Sequence, residues 1–573
     1  PESALSISSG RVDTITVDEK AVDSTLEISS GAEADHVNLD VGTTVTGDGD
    51  IGDLVVNAPG SNVSMLPDQI VIRPGDTANI DRLVVQLDGF LKDVDTIPQR
   101  LSNFSSNISS LSAWMLNLKN QPLEIDYLRI QSEDVAVPKA NAGFFQTLSY
   151  MAKQFAGSFV MDYNSIGDTT AAAEALDVWI GLGRDQVQII KELVDENFTA
   201  KTGIPVNIKL AKDSMIQATF AGRGPDIALF IAQDQPVNLA VRNAVVNLSQ
   251  FPDFEEAAAE FSPESFVPYS YENGVYGMPL TGSFQMLFCR TDILEELGLK
   301  APETWRDLYE MIPVIQQKNM NVGLPKVVID ATGAGSGTSA MFDTLLLQKG
   351  LNYFDDSRSS TNFDKPEALE AFREWTDFYT KYGLPQDFDF YNRFRTGEMP
   401  IGIAGYTLYN QLCVGAPELS GLWEMRQLPG TPREDGSLNR AAGLTGTSAV
   451  IFNKCDKENG WAFVKWFASS QTQAAYGRTI EALLGASARY DTANLEALKL
   501  LPWTKAQQKT LLGQWENVKG IPQVPASYYI SRNLYNAFRN VTIYYSNARE
   551  ILYKYNKEMN AEIQRKRVEF GLD

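Results

Sequence analysis

His36 is the one histidine in the chain. Any serine–histidine or cysteine–histidine mechanism would have to run through it, and a zinc site built on several imidazoles is impossible. The cysteines Cys289, Cys413 and Cys455 are too few and too scattered for a disulfide framework or a metal cluster. All three are expected to pack as small hydrophobes. The sequence holds no GxSxG, Walker, HExxH or CxxC pattern. The glycine-rich run GAGSGTSA at 333–340 does not fit GxGxxG and reads as a surface loop rather than a phosphate cradle. In GDGDIGD at 47–53, Asp48, Asp50 and Asp53 lie close enough to hold Ca²⁺. The EF-hand spacing and its bidentate glutamate are missing, however, and solvated turn acids are the better reading. With 72 Asp and Glu, carboxylate pairs for glycosidase chemistry exist by count, yet none stands out. No cofactor and no catalytic residue is assigned.

Chemistry of another kind is suggested where strands end. From Leu176 the pattern is LDVWIGL, a helical stretch closing at Gly203, the strand IPVNIKL, a further helix, and the strand GPDIALFIA. Strands alternating with helices imply a mainly parallel α/β sheet, and such sheets bind ligands at the carboxyl ends of their strands. Gly183, Arg184, Asp185 and Gln186 follow the first strand; Gln233, Asp234 and Gln235 follow the third. Amides and fixed charges there suit forked hydrogen bonds to hydroxyls. Asp185 and Asp234 also fall near helix starts, where a carboxylate is favourable without any ligand. The remaining sequence, rich in Trp, Tyr and Phe, exceeds one doubly wound domain and suggests two lobes.

Several pieces resemble the extracellular solute-binding proteins of carbohydrate ABC importers, and they come in that family's order. They are VWIGLGRDQ, TGIPVNI, AGRGPDIALF, NAVVNLSQFPDF, YENGVYGMPLTGSFQMLFCRTDILEELGLKAPETW, NRFRTGEMPIGIAGYTLYNQL, GLTGTSAVIF and WENVKGIPQVPASYY. The chain is most similar to the large surface lipoproteins of Gram-positive bacteria that carry sequence ahead of the binding domain. SLSAWMLNLKNQPLEIDYLRI and FAGSFVMDYNSIG resemble that extension. The resemblance implies a two-lobe periplasmic-binding-protein-like fold over 171–573, with a hinge and a central cleft that closes on a sugar. The first lobe would hold about 176–282 and 446–485, the second about 290–440 and 486–573.

It also implies site residues. Tyr406 follows GIAG and would face the cleft. Tyr528 or Tyr529, after GIPQVPAS, would be a stacking platform, with Arg532 one turn beyond. Ser283 and Gln285 lie on the crossover and Thr445 and Thr447 on the return; with Arg184, Asp185, Gln233 and Asp234 they complete the expected binding set. Trp305, Trp461, Trp466, Trp503 and Trp515 lie within helical patterns and are read as core, and Arg393 and Arg395 as ion-pairing residues.

Ahead of these lobes the composition changes. Residues 1–90 are rich in Ser, Thr, Asp, Gly and Val, and LSISSG at 5–10 recurs as LEISSG at 26–31. Short alternating strands at such a period are the mark of a β-solenoid, with a small β-sandwich and a chance repeat as the alternative. Residues 91–170 read as a helical linker. Ile97, Leu101, Phe104, Ile108, Leu111, Met115 and Leu118 form one helical stripe, LEIDYLRIQ a strand, and Leu148, Met151, Phe155 and Phe159 a second helix.

The chain of 573 residues is 44% hydrophobic and 21% charged, ordinary for globular domains, and its net charge of −23 repels phosphate backbones and anionic lipid. Nucleic acid is therefore an unsuitable partner, and no apolar run spans a bilayer. PESALSISSG has neither a basic n-region nor an apolar h-region, so no signal peptide is read here. The resemblance implies an extracellular, monomeric receptor held to the cell surface by a lipid anchor outside this sequence, delivering an oligosaccharide to the permease subunits of an ABC importer. Two other readings stay open: a lyase or glycosidase fused to a sugar-binding module, and a sensor subunit presenting ligand to a histidine kinase.

Overall fold

Both copies of the N-terminal repeat end in a glycine with left-handed backbone, φ 99° at Gly10 and 85° at Gly31, a region that strains any residue with a Cβ. Each glycine turns the chain from one strand into the next. The computed structural model of the chain describes residues 4–18, 21, 24–29, 31–41, 43–46, 50–56, 62–63, 69–72, 78–92, isolated positions between 94 and 153, 165–167, 175–210, 215–325 and 340–572. They divide into two units, Pro1–Asp162 and Tyr163–Asp573. The divide falls a few residues before the expected 171.

In the first unit, alternate strands sort into two sheets. Ala4–Ile7, Ser24–Ile28, Thr43–Thr46 and Asn62–Val63 form one; Gly10–Val17, Ala32–Leu39, Asp50–Val56 and Gln69–Ile72 form the other. Every neighbouring pair is parallel, Leu5 lying opposite Leu26 and Ile15 opposite Val37. A sandwich of the common kind would be antiparallel. Ile15, Leu26, Ile28, Ala34, Val37, Leu39 and Val45 are buried and form one cluster; burial alternates along Ser24–Ile28, as a strand requires, and the alternation breaks between Ala34 and Val37. His36 is on the exposed face of Ala32–Leu39. A helix, Ala78–Lys92, follows. Most of the stripe over 97–118, the strand at 123–131, most of the helix around 148–159, the side chains of the acidic turn at 47–53 and residues 333–339 of the glycine-rich run lie outside the described residues.

In the second unit, the first lobe is built on a six-stranded sheet ordered Met278–Pro279, Thr447–Ile451, Ile227–Ala232, Leu176–Ile180, Val206–Leu210, Ser165–Ile166. The three strands read from the sequence are mutually parallel; the other three join antiparallel. The sheet is thus mixed, because Thr447–Ile451 returns from the other lobe and pairs against Ile227–Ala232. Val178, Ile180, Val187, Ile190, Phe198, Ile208, Leu229, Phe463, Phe467 and Tyr476 fill its core. Tyr490 and Ala493, expected in the second lobe, pack there too.

The second lobe holds a sheet ordered Val322–Gly323, Ile401–Gly405, Gln285–Arg290, Trp423–Arg426. Helices Trp305–Gln316 and Pro366–Thr380 contribute the buried residues Trp305, Leu308, Phe372 and Trp375. Trp375 stacks on Phe538 of the helix Ser527–Tyr544, ring centroids 4.1 Å apart. The lobes are joined by crossing segments that bond to each other around Ser283 and Thr445. Among the described residues, no helix is long and apolar enough to cross a membrane.

Of the tryptophans read as core, Trp305, Trp461, Trp503 and Trp515 are buried. Trp466 is only partly so, at the edge of a surface groove beside Phe251 and Trp461. Cys289 and Cys455 are buried, and burial pushes the Cys455 thiol up to about 12. Cys413 is exposed and is not a packing residue. Arg393 pairs with Glu398 and Arg395 with Glu418, within the lobe.

Candidate functional site

Where the crossing segments meet, their backbones bond directly to each other. The Ser283 amide donates to the Thr445 carbonyl at 2.7 Å, and the Thr445 amide and hydroxyl return bonds to the Ser283 carbonyl at 2.9 and 3.1 Å. One step along, the hydroxyls of Thr281 and Thr447 lie 2.8 Å apart, and the Thr447 amide donates to the Thr281 hydroxyl. Between them sits Gly446, where an added Cβ would lie 2.1 Å from the Thr281 carbonyl oxygen. That closeness explains a glycine within GLTGTSAVIF more directly than any turn does.

This crossing forms the floor of a cleft of about 270 Å³. Ala232, Gln233 and Asp234 come from the end of the first lobe's strand Ile227–Ala232; Ser527, Tyr528 and Ser531 come from the start of the helix Ser527–Tyr544 in the second, and Gln523 from the segment leading into it. Asp491 completes the lining. Of the expected residues, Gln233, Asp234, Ser283, Thr445, Thr447 and Tyr528 are brought together here.

The others are placed elsewhere. Arg184 and Asp185 are exposed in the first turn of Arg184–Leu193, outside this lining; Gln186 caps that helix by accepting from the Gly183 amide at 3.2 Å. Gln285 starts the strand paired with Ile401–Gly405 and does not line the cleft. Tyr406 corrects a specific expectation. Only 1% exposed, it packs on Phe284 and donates its hydroxyl to the Gly282 carbonyl at 3.1 Å. A buried phenol needs such a partner, and this one braces the hinge rather than facing solvent. Tyr529 lies beneath the Arg532 guanidinium, 5.1 Å from its ring centroid, so that pair is satisfied within the helix. Tyr528 is 42% exposed, with its hydroxyl donating to Glu562 at 3.3 Å. Its ring is the aromatic surface available in the cleft.

The polar groups of the lining are only partly satisfied. Gln233 accepts from the Gly446 amide through Oε1 at 3.1 Å, which fixes the amide plane; its Nε2 is buried without a hydrogen-bond partner. A buried donor left unpaired is costly, and the end of a strand in a cleft is where a ligand can supply the acceptor. Asp491 sits on the segment running back from the first lobe's core, its main-chain oxygen accepting from the Gly282 amide at 2.8 Å. Burial pushes its carboxyl up to about 7. Among the described residues, no cluster of His, Cys, Asp and Glu could hold a metal ion.

Residues 183–474, half of the chain, match the model of the bacterial extracellular solute-binding protein family. The chain belongs to that family. Two lobes around a hinge floor and a polar cleft are what a solute-binding protein needs, and the membership agrees with the expectation that the chain binds rather than turns over. The maltotriose-binding protein of Pyrococcus abyssi is 21% identical over 302 residues, 51% of this chain and 62% of that relative. The match thus spans less than two thirds of the relative's length. Among solved structures, the sugar-binding protein MalE of Xanthomonas citri superposes with a TM-score of 0.57 at 17% identity, covering 70% of this chain and all (100%) of that one. A solute-binding protein of an ABC transporter from Thermotoga lettingae, bound with α-D-tagatose, gives 0.53 at 20%, covering 68% and 100%. The cyclic α-maltosyl-1,6-maltose binding protein of Arthrobacter globiformis gives 0.55 at 17%, covering 68% and 99%. At these identities the likeness is one of fold.

Thr281, Asp491, Gln523, Ser527 and Ser531 line this cleft without having been singled out in the sequence. Thr281 stands two residues before Ser283 on the same crossover, so alternation along that segment was a usable signal. Gln523 and Ser527 lie in the same GIPQVPAS stretch that pointed to the tyrosines. For Asp491 no local signal exists.

Proposed function

We propose that this solute-binding protein captures an oligosaccharide in the interlobe cleft and hands it, unmodified, to the membrane permease of an ABC importer. The observation that supports the reading is the composition of the cleft. Hydroxyls of Thr281, Ser283, Thr445, Ser527 and Ser531 and the amides of Gln233 and Gln523 converge from both lobes and the hinge, beside the exposed ring of Tyr528. Sugars offer a belt of hydroxyls and apolar C–H faces, which call for that mixture of polar forks and one aromatic surface. The names of the relatives, maltotriose-binding and cyclic maltosyl-maltose binding, support the same class of ligand. The receptor reading further has the protein act as an extracellular monomer, lipid-anchored at the cell surface as in the large Gram-positive proteins it resembles. Residues 1–90 are read as a short β-solenoid, with a spacer, a wall contact or a partner surface as the roles open to it; the parallel strand order and the glycine corners support the solenoid reading.

Calorimetric titration with a panel of α- and β-linked oligosaccharides tests the capture step. Saturable one-to-one binding with no new reducing ends supports the reading; reducing ends above a heat-killed control would replace it with an enzyme. Uptake of the binding sugar by cells with and without the gene tests delivery.

A further inference from the structure

The cleft lining combines two carboxylates, Asp234 and Asp491, with hydroxyls and amides, and among the described residues it includes no lysine, arginine or histidine. A site for a uronate or a sugar phosphate needs a cation or a fork of donors to balance the ligand's charge. Here the buried side-chain donor left without a partner within the lining is the neutral Nε2 of Gln233, and the other donors are neutral hydroxyls and amides. We infer that the cleft selects by charge: it admits uncharged and amino sugars and rejects carboxylated and phosphorylated ones, with Asp491 as the discriminating residue. The inference rests on the sugar-capturing reading above and narrows its substrate class.

The surroundings of Asp491 favour this role. It shares the cleft with Asp234, and among the described residues the other titratable groups that feel its charge are phenols. Tyr406 and Tyr490, at the hinge, and Tyr476, of the helix Ser470–Leu484, are all held neutral by burial. Arg489, two residues away, is committed to Glu481 at 2.6 Å and lies over the Trp503 ring. No cation therefore screens Asp491 within this group. A ligand carboxylate would meet like charge in a partly desolvated site, where repulsion is strong. A ligand hydroxyl or ammonium would instead donate to Asp491.

The test uses the intact chain and the tightest neutral sugar of the panel, with its C6-oxidised uronate and its 2-amino counterpart. At a pH above 7, where Asp491 is ionised, the uronate is expected to bind at least tenfold more weakly than the neutral sugar, and the amino sugar no more weakly than it. In Asp491→Asn the uronate penalty should shrink at least threefold. The parent, titrated at a pH well below 7, gives the same comparison should that variant fail to fold, because Asp491 then takes up a proton while the uronate stays charged. A uronate that binds as tightly as the neutral sugar overturns the inference and leaves the capture reading standing. A penalty that persists unchanged both in the variant and at low pH removes Asp491 as the discriminator. If no sugar of any charge binds, the capture reading itself fails.

Discussion

Tyr406 and Tyr490 donate hydrogen bonds to carbonyl oxygens two residues apart on one crossing segment, Gly282 at 3.1 Å and Leu280 at 3.0 Å. Tyr406 follows the second lobe's strand Ile401–Gly405, and Tyr490 packs in the first lobe's core. The floor of the cleft is thus clamped from both lobes at its backbone. Removing the Tyr406 oxygen orphans the Gly282 carbonyl, whereas the Leu280 carbonyl keeps the Ala493 amide as a second donor at 3.0 Å. Tyr406→Phe should cost about 1–3 kcal/mol of stability and Tyr490→Phe about 0.5–1.5 kcal/mol, read as a shift of the denaturation midpoint in urea. No shift in either would mean that the clamp carries no weight.

Tyr528 and Tyr529 are adjacent in sequence and separate in role. Tyr528→Ala should weaken sugar binding by about 1–3 kcal/mol, the range for losing an aromatic anchor, with little change in melting because the ring is already exposed. Tyr529→Ala should leave affinity nearly unchanged, since its ring is engaged by Arg532. The reverse ranking in calorimetric affinity would move the platform.

Gly446→Ala would place a methyl group 2.1 Å from the Thr281 carbonyl oxygen. The crossing segments would have to part, at a cost of about 1–3 kcal/mol as in other overpacked sites. The same separation should displace Gln233, whose Oε1 is held by the Gly446 amide. Both melting and sugar affinity are therefore expected to fall together; a drop in one alone would contradict the shared geometry.

Two carboxyls, the buried Asp343 and the half-buried Asp491, tie stability to pH. Asp343 accepts from the Tyr353 hydroxyl in a second small cavity that shares Gln523, Ser527 and Ser531 with the main cleft. Burial pushes Asp343 and Asp491 each up to about 7, against about 4 in an unfolded chain. Between those values the folded chain holds protons that the unfolded chain has released. Stability should therefore fall as pH rises through that window and level off above about 7. Asp343→Asn keeps an acceptor for Tyr353 and removes one titrating group, so the melting temperature of this variant should drop less between about pH 5 and about pH 8. An equal drop in parent and variant would show that Asp343 does not titrate there.

What the sequence made legible depended on how local each signal was. The parallel strands LDVWI and IALFIA carry continuous or alternating apolar runs, and the polar residues after them fall at a sheet edge by rule, which is why Gln233 and Asp234 were found. The repeat at 5–10 and 26–31 announced its corners because only a glycine tolerates φ near 99° and 85° there. Tyr406 shows the limit. After GIAG a cleft tyrosine and a buried brace look identical in one dimension, and only the approach of Gly282, far away in sequence, decides between them. Asp491 is invisible for the same reason, since its neighbours at the hinge come from residues some 200 positions earlier. Arg184 and Asp185 illustrate the opposite case: strand-end positions that fall in the first turn of the next helix, outside the cleft lining.

All residues that line the cleft belong to 163–573. Removing residues 1–162 should accordingly leave sugar affinity within a few-fold of the full chain. A loss beyond tenfold, about 1.4 kcal/mol, would show that the N-terminal unit contributes to the site.

The central claim is that the hinge-floored cleft is an oligosaccharide receptor site. Its most direct test is calorimetric titration of the intact chain with neutral oligosaccharides, beside the Tyr528→Ala variant under identical conditions. The account predicts one-to-one saturable binding to at least one sugar, weakened about tenfold to a hundredfold in the variant. No measurable binding to any sugar at millimolar concentration, or binding that Tyr528→Ala leaves unchanged, would contradict it.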